Sequence, residues 1–137
     1  MSDRLPTVRP DAAEPTIPQE LLAKTFIGVP TVRRVSQALG TDEVEINAVF
    51  FEAGSRSRPH SHGFDQILFY LSGTGVVAID GGEDQLIPEG EFVVLPAGVP
   101  HMHGASDEGP AVHFSIMRGI DNDFDPPIPD SWRKWTE

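Results

Sequence analysis

The chain has 137 residues, 39% of them hydrophobic, which suffices for one domain around a single core. Its formal net charge of -11 disfavours nucleic acid and anionic membrane surfaces as partners, because both attract basic proteins. There is no cysteine, so disulfides, zinc ribbons and thiol chemistry are excluded. No apolar run approaches the roughly 20 residues of a membrane helix and no secretory signal opens the chain, so we expect a cytoplasmic protein.

Residues 1–22 are predicted to form an N-terminal arm, since prolines and scattered charges at its start disfavour both helix and strand pairing. The segment IPQELLAKTF is expected to make one short helix. From Phe26 onward, the β-branched and aromatic residues of FIGVPTVRRVSQ and EVEINAVFFEAG indicate the first strands.

The clearest strands follow in the middle of the chain. QILFYLSG and GVVAID, separated by a Ser-Gly-Thr-Gly corner, are expected to form a tight hairpin. EDQLIPEG, EFVVLPAGVP and AVHFSIMRGI bring the number of strands to about eight, with little helix between them. Because closure removes exposed sheet edges, we predict an all-β barrel or jelly roll over residues 23–120.

The last segment, residues 121–137, is predicted to be a tail that docks on its own barrel or on a neighbouring subunit. Its three prolines stiffen the chain, and Trp132 and Trp135 are large aromatic side chains in a charged setting.

The histidines carry the strongest functional signal, since all five lie between positions 60 and 113. His60 and His62 are two residues apart, and on a strand this spacing places both imidazoles on one face. Gln66 begins the next strand, where its amide oxygen can complete a site, and His101 follows the rigid corner LPAGVP. These donors suit one divalent ion such as Mn, Fe, Ni, Co or Zn, with positions left open for substrate.

The two histidine segments resemble the paired motifs of the cupin family. GSRSRPHSHGFDQILFYLSG resembles the first motif, and the matching residues are Gly54, His60, His62 and Gly73. GEFVVLPAGVPHMHGA resembles the second, and the matching residues are Gly90, Pro96, Gly98 and His101. Ala105 replaces the asparagine that usually ends the second motif. The resemblance implies a double-stranded β-helix, a homodimer, and one metal per chain, with Mn or Fe favoured.

Gln66 departs from the family pattern, which usually has a glutamate ligand at this position. The predicted site is therefore neutral, and the dipositive charge of a bound ion stays available to polarise a carbonyl, nitrile or hydroxyl group. This favours Lewis-acid chemistry of the lyase or isomerase type. Since cupins that activate dioxygen with three histidines are known in the family, dioxygenase chemistry stays open if the metal is iron.

A narrower resemblance concerns the candidate acid and base groups. HMHGASDEGPAVHF is similar to a subset of short bacterial cupins that includes metal-dependent hydroxynitrile lyases, in which a histidine at the place of His113 is the acid or base. His103, on the same strand face as His101, is predicted as a proton shuttle, a donor behind a ligand or an interior polar residue. Tyr70, on the Gln66 face, either donates a hydrogen bond to substrate or fills the barrel.

We therefore expect a metal-dependent enzyme that acts on a small polar molecule. Arg58 alternates in step with His60 and is either an anchor for a substrate carboxylate or, like Arg56, a solvated partner of the abundant acids. The alternative is a cupin that holds a metal or small molecule without turning it over. A metal-free barrel of the sugar-nucleotide epimerase kind is a third possibility, but its chemistry has no use for the histidine set.

Overall fold

The computed structural model describes residues 4–137, and it confirms the predicted all-β jelly-roll class. Within that range the chain forms ten strands rather than about eight. The strands are β1 (Phe26–Ile27), β2 (Thr31–Arg34), β3 (Glu45–Phe51), β4 (Arg56–Ser57), β5 (Gln66–Ser72), β6 (Gly75–Ile79), β7 (Gln85–Ile87), β8 (Phe92–Leu95), β9 (His101–Ala105) and β10 (Ala111–Met117). The α-helices in the same range are α1 (Gln19–Thr25) and α2 (Val35–Leu39), and 3-10 helices lie at Pro10–Ala12 and Asp130–Thr136.

The strands form two antiparallel sheets of five. Sheet I has the order β2-β3-β10-β5-β8, and sheet II has the order β1-β4-β9-β6-β7. Most neighbours within a sheet are distant along the chain, as in β10, which lies between β3 and β5. This long-range pairing is typical of a jelly roll, in which successive segments alternate between two facing sheets.

The predicted hairpin between QILFYLSG and GVVAID is wrong. β5 pairs with β10 and β8 in sheet I, whereas β6 pairs with β9 and β7 in sheet II. The chain crosses from one sheet to the other at Gly73, whose φ of 75° lies in the left-handed region that glycine adopts without strain. The glycine-rich corner therefore makes a crossover between sheets.

The region before β3 mixes a correct and an incorrect prediction. The segment IPQELLAKTF contains helix α1, as expected. FIGVPTVRRVSQ contains β1 and β2, but its last residues begin helix α2. Gly40, at a φ of 83°, ends α2, and the Ser36 hydroxyl accepts a hydrogen bond of 3.0 Å from the Ile46 backbone N–H, which ties the helix to β3.

The core lies between the two sheets. Side chains alternate along β10, where Ala111, His113, Ser115 and Met117 are buried while the intervening side chains are half-buried. The apolar core residues include Leu22, Phe26, Val32, Val49, Phe51, Leu68, Tyr70, Val77, Ile87 and Leu95. Helix α1 contributes Leu22, so the segment before β1 belongs to the packed interior.

Both terminal segments lie against the barrel. Thr16 pairs with Arg33 of β2, which covers that edge of sheet I. In the tail, Trp132 is buried against Ala78 and Met102, and its indole N–H donates to the Gly82 carbonyl at 3.2 Å. The tail thus docks on its own barrel; the domain boundaries at residues 22 and 120 stay a prediction, and residues 1–3 of the arm lie outside the described range. None of the helices within residues 4–137 is long and apolar enough to cross a membrane.

Sheet I also presents an apolar outer face, defined here as the outward side chains of β3, β10, β5 and β8. The strand register places Ala48, Phe114, Phe69 and Phe92 in one row across the four strands. The adjacent row consists of Ile46, Ile116, Ile67 and Val94. The Phe69 ring lies 4.5 Å from Phe92 and 6.1 Å from Phe114 between centroids. Neither row contains a charged residue on these four strands, whereas on the adjoining β2 the first row continues to Arg33.

Candidate metal centre

Backbone pairing brings the predicted ligands His60 and His101 together. The two residues face each other in an antiparallel bridge, in which the His60 N–H donates to the His101 carbonyl at 3.1 Å and the His101 N–H donates back at 2.8 Å. Their ring centroids are 4.4 Å apart. The His62 ring lies 4.9 Å from His60 and 5.0 Å from His101, so the three imidazoles form one buried cluster.

The corner before His101 is held by hydrogen bonds to the other histidine segment. The Gly98 N–H donates to the His62 carbonyl at 2.8 Å, and the Ala97 N–H donates to the Asp65 carboxylate at 2.9 Å. Gly98 has a φ of 75°, which explains why the corner needs glycine at this position. The predicted rigid turn thus fixes the His101 backbone relative to His62.

In each of the three rings, Nδ1 is hydrogen-bonded to a backbone carbonyl. His60 Nδ1 lies 2.7 Å from the Arg58 carbonyl, His62 Nδ1 2.8 Å from the Asp121 carbonyl, and His101 Nδ1 3.0 Å from the Val99 carbonyl. A carbonyl only accepts, so each Nδ1 carries the hydrogen and each Nε2 of a neutral ring keeps its lone pair. This is how metal-binding histidines are usually oriented.

Gln66 provides a fourth lone pair at the cluster. Its amide N–H donates to the Ser115 hydroxyl at 2.7 Å, which turns Oε1 toward His62 Nε2 at 3.1 Å. With His62 Nδ1 bonded to the Asp121 carbonyl, both atoms of this close pair are acceptors. Two acceptors at this distance are stabilised by a cation between them, so these residues fit a metal ion.

The unsatisfied atoms of the cluster also fit a metal ion. His101 Nε2 is buried without a hydrogen-bond partner, a state that is costly in a folded protein unless a ligand provides one. One ring nitrogen from each of His60, His101 and His103 lies within 4.8 Å of the others. His103 therefore approaches the same position and is a further candidate donor.

Burial keeps these histidines neutral. Removal from water is the largest cause that lowers the pKa of His60, and His101 adds repulsion. Burial, with a contribution from His62, lowers the pKa of His101 to about 4. A neutral imidazole is the form that binds a metal, so burial keeps these rings in the protonation state that a metal ligand needs.

His103 and His113 form a separate pair behind the cluster. His103 Nδ1 lies 3.0 Å from His113 Nε2, and His113 Nδ1 is buried without a partner. Burial is again the main cause that lowers the pKa of both residues, to about 3 for His113. His103 is therefore hydrogen-bonded to another imidazole, whereas the rings of His60, His62 and His101 are hydrogen-bonded to backbone carbonyls.

The hydroxyl of Tyr70 is engaged in the barrel interior. It donates to the Gly104 carbonyl at 2.8 Å, the side chain is fully buried, and the ring packs edge-on against His113 at 5.2 Å. Burial raises the pKa of Tyr70, so the phenol stays protonated. Of the two roles predicted for Tyr70, these contacts correspond to the barrel-filling one.

The two arginines bind the C-terminal tail. Arg56 is buried, makes a bidentate ion pair with Asp84 at 3.0 and 2.8 Å, and lies 4.2 Å above the Trp135 ring. This hydrogen bonding is the main cause that lowers the pKa of Asp84. Arg58 Nη1 donates to the carbonyls of Trp135 and Glu137. Both guanidinium groups are therefore used in contacts within the protein.

A cavity of about 150 Å³ opens beside the histidine cluster. His60, His62, Gln66 and His103 line one side of it, whereas His101 and His113 are not among its lining residues in the described chain. The other walls are mostly apolar and come from several elements, as shown by Leu21, Leu22, Phe26, Val32, Val49, Met117 and Phe124. Helix α1 and the start of the tail thus cover a small chamber next to the candidate ligands.

Several residues of the centre were not predicted from the sequence. Asp121 fixes His62 through its backbone carbonyl, and the Phe124 ring lies 5.2 Å from His60. Phe64 stacks on His62 at 5.8 Å, and its position two residues from that histidine was the only signal available. A carbonyl 59 residues away in sequence leaves no pattern that marks it in advance.

Comparison with known proteins relates the chain to one family. The model of the cupin domain family matches residues 48–117, which contain the four predicted ligands. The chain is 30% identical over 76 residues to an acireductone dioxygenase of Cronobacter sakazakii, which covers 53% of this chain and 37% of that enzyme. It therefore spans little more than a third of the length of the curated relatives that it matches.

Solved structures agree with the observed fold. A cupin-like protein from Thermotoga maritima MSB8 is 28% identical, with a TM-score of 0.67 over 82% of this chain and 89% of that one. A putative sugar phosphate isomerase from Acidithiobacillus ferrooxidans is 23% identical, with a TM-score of 0.62 over 71% of this chain and 65% of that one. The second likeness establishes the fold alone.

Proposed function

Because the chain belongs to the cupin family, we propose that it is a metal-dependent enzyme acting on a small molecule, with His60, His62, Gln66 and His101 holding one divalent transition metal. The observation that carries this proposal is the shared orientation of the three imidazoles. Each directs its Nδ1 hydrogen to a backbone carbonyl and leaves its Nε2 lone pair free. Mn(II) and Fe(II) are the favoured ions, since both accept imidazole and amide-oxygen ligands.

His103 has a different role in this proposal. Its Nδ1 is hydrogen-bonded to His113 Nε2. Because His103 also lines the cavity, its Nε2 is the nitrogen available to substrate. With the shared hydrogen on His103 Nδ1, that Nε2 accepts a proton from substrate as a general base. Because burial lowers the pKa of His103, this base is weak and suits a substrate proton that is already labile. His113 Nε2 accepts the hydrogen bond and stabilises the charge that develops on the His103 ring. The pair thus supplies the proton transfer that the reaction needs.

The neutral donor set favours one class of reaction. When bound, the metal supplies Lewis-acid polarisation of a substrate oxygen or nitrogen, and no carboxylate among the four donors offsets its charge. The hydrogen bond from the Gln66 amide N–H to the Ser115 hydroxyl orients the neutral amide oxygen toward the site. Lyase or isomerase chemistry, in which a polarised group makes a neighbouring proton or bond labile, is therefore the leading candidate.

Dioxygenase chemistry is the second candidate, because the curated relatives with the matching segment are acireductone dioxygenases. The test is turnover with and without dioxygen. Mn- and Fe-loaded protein is incubated with a panel of small carbonyl and hydroxy compounds, in air and under argon, and substrate loss is followed by NMR. We expect turnover under argon, and its loss in His103→Ala with metal content retained.

Two other results of that experiment would change the assignment. Turnover that needs both iron and dioxygen would replace the lyase or isomerase proposal by the dioxygenase one. Stoichiometric metal without turnover on any compound would favour the alternative of a non-catalytic metal- or ligand-binding cupin.

We also propose that the protein is a homodimer formed through the apolar outer face of sheet I. Phe92 is 67% exposed, Val94 52%, Leu71 45% and Ile67 40%. At roughly 200 Å² for a fully exposed large side chain, these four side chains present roughly 400 Å². Two copies would bury about 800 Å² through these four side chains alone. The half-buried Phe69, Phe114 and Ile116 between them extend the face toward the roughly 1,200 Å² at which the stable interfaces begin. A second copy is the partner that this face fits, because an uncharged surface selects no partner of opposite charge.

A further inference from the structure

The cavity beside the histidine cluster has an apolar end. The side chains there are aliphatic or aromatic and at most 7% exposed, namely Leu22, Phe26, Val32 and Val49. Val32 and Val49 pair across β2 and β3, whereas the other two come from α1 and β1. Thr25, which also lines the cavity, donates its hydroxyl to the Leu21 carbonyl at 3.1 Å. Buried apolar side chains from two parts of the fold therefore border a space that a close-packed core would fill.

Strand pairing places this apolar end next to the histidine pair. Val49 of β3 lies opposite His113 of β10, and His113 is hydrogen-bonded to His103, which lines the cavity. Phe26 packs on Phe51 at 5.7 Å between ring centroids, and Phe51 lies 6.3 Å from the His103 ring. A molecule held at the proposed metal and at His103 therefore has apolar side chains beside its remaining atoms.

The other end of the cavity is polar and nearer the surface. A second cavity of about 260 Å³ adjoins it, and five residues line both cavities, namely Ile17, Leu21, Asn47, Met117 and Asn122. Leu21 is 52% exposed, and Asn122 is exposed. The ion pair of Arg34 with Glu45, at 3.3 Å, lines the second cavity. Polar parts of a substrate therefore have partners at this end, whereas the end at Val49 suits hydrocarbon.

The volume of the cavity limits the group that it can hold. It measures about 150 Å³, and an apolar cavity of about this volume in a folded protein holds one benzene molecule. Water needs two or more polar partners to stay in such a space, and the side chains at the apolar end provide none. An apolar group of up to about six carbon atoms is therefore the occupant that fits.

Resting on the proposed function, we propose that the substrate has a compact apolar group that packs on Leu22, Phe26, Val32 and Val49 while its polar group binds the metal. The substrate class is a small molecule with a metal-binding oxygen or nitrogen next to a hydrocarbon group no larger than a benzene ring. Burial of this group contributes affinity in proportion to the apolar area removed from water. Val49 is the specificity-determining residue, because it borders the cavity opposite His113.

The first measurement uses benzene to test the apolar end by itself. Full-length protein with isotope-labelled methyl groups is titrated with benzene, without metal and with Zn(II), and followed by NMR. We expect the methyl signals of Leu22, Val32 and Val49 to shift in both states. Val76 is the internal control, since it is a valine of similar burial outside the residues that line the cavity in the described chain. Unshifted methyl signals at Val49 would overturn the apolar site whether or not metal binds.

The second measurement tests whether this end serves a molecule bound at the metal. Protein loaded with Co(II) is titrated with acetohydroxamate, benzohydroxamate and 2-naphthohydroxamate, and binding is followed by calorimetry and by the cobalt absorption spectrum. We expect benzohydroxamate to bind at least about tenfold more tightly than acetohydroxamate, because its ring is buried. The naphthyl compound should bind no more tightly than the benzoyl one, because its second ring exceeds the cavity. A tighter naphthyl compound would overturn the size limit.

Val49→Thr keeps the shape of the side chain and places a hydroxyl group at the apolar end. We expect the dissociation constant of acetohydroxamate divided by that of benzohydroxamate to fall about fivefold in this variant. Val76→Thr is the matched control, and its ratio should equal that of the wild type. If Val49→Thr unfolds, Val49→Ala serves instead, and its larger cavity should tighten the binding of the naphthyl compound relative to the wild type.

The outcomes separate this inference from the proposed function. Cobalt bound at one per chain with equal affinity for acetohydroxamate and benzohydroxamate would overturn the substrate class alone. A ratio in the Val49 variant that equals the wild-type ratio would overturn the role of Val49. Benzene bound at Val49 in a protein that binds no cobalt would overturn the metal centre and leave the apolar site standing.

Discussion

At the scale of single residues, the histidines of this protein differ in what fixes their rings. His60, His62 and His101 are oriented by backbone carbonyls, which do not titrate and hold one tautomer. His103 and His113 are oriented by each other. The first arrangement suits ligands that must keep a fixed lone pair, and the second suits groups that exchange a hydrogen. The five histidines thus divide by local bonding into a proposed binding set and a proposed proton-transfer set.

Burial of neutral histidines predicts a pH dependence of stability for the metal-free protein. Folding lowers the pKa of His101 to about 4 and of His113 to about 3. Below pH 6.5 these histidines are therefore protonated in the unfolded chain but stay neutral in the folded protein. The free energy of unfolding therefore falls as the pH falls from 6.5 toward 4. Each such histidine contributes about 1.4 kcal/mol per pH unit in this range.

The variant His113→Gln checks this sign, since it removes one buried histidine and leaves the proposed ligands in place. Urea denaturation of chelator-treated protein between pH 7 and 5 should show a shallower pH dependence for the variant than for the wild type. Equal slopes would mean that His113 is protonated in the folded protein or exposed to water, against the structure.

At the scale of the elements, close contacts at glycines join the two sheets. A Cβ atom added to Gly75 would lie 2.1 Å from the Tyr70 ring, and the Tyr70 hydroxyl is held by the Gly104 carbonyl. Tyr70 belongs to β5 of sheet I, whereas Gly75 and Gly104 belong to β6 and β9 of sheet II. The tyrosine thus spans the barrel and sets the spacing of the sheets behind the histidine pair.

We expect Gly75→Ala to lower the free energy of unfolding by about 3 kcal/mol or more, because the ring has no space to yield in a packed interior. Gly109→Ala is the control, since a Cβ atom there would meet nothing within 4 Å. Urea denaturation of both variants measures the difference. If the two were equally stable, the Tyr70 ring would be mobile and its bond to Gly104 would not fix the barrel.

How far the sequence predicts these elements depends on the distance between the interacting residues. The spacing of His60 and His62 was sufficient to predict that their imidazoles lie together, because this is a local pattern. The pairing of β6 with β9 was missed, since local glycines are compatible with a hairpin as well as with a crossover. The bond from His62 to the Asp121 carbonyl depends on a tertiary contact, which leaves no local pattern.

At the scale of the whole molecule, an acidic surface and an apolar sheet face coexist. The net charge of -11 keeps most of the surface well hydrated and makes unspecific self-association unfavourable. The apolar outer face of sheet I is the exception, with the Phe69, Phe92 and Phe114 rings in contact across three strands. Apolar patches of a few hundred Å² are often functional, which is why we propose this face as the interface.

The proposed dimer predicts that Phe92→Glu yields a monomer, because two copies of the face would then place buried carboxylates opposite apolar side chains. Leu86→Glu is the matched control, since Leu86 is 55% exposed but belongs to β7 of sheet II. Sedimentation should show two chains for the wild type and the control, and one for Phe92→Glu. A wild type that sediments as a monomer would remove the proposed interface.

The metal centre is tested most directly by elemental analysis of protein purified without chelator and without added metal. We expect about one Mn or Fe per chain in the wild type and in His113→Gln, and loss of that metal in the folded double variant His60→Ala, His62→Ala. A wild type without metal, or a double variant that keeps it in full, would contradict the assignment of these histidines as ligands.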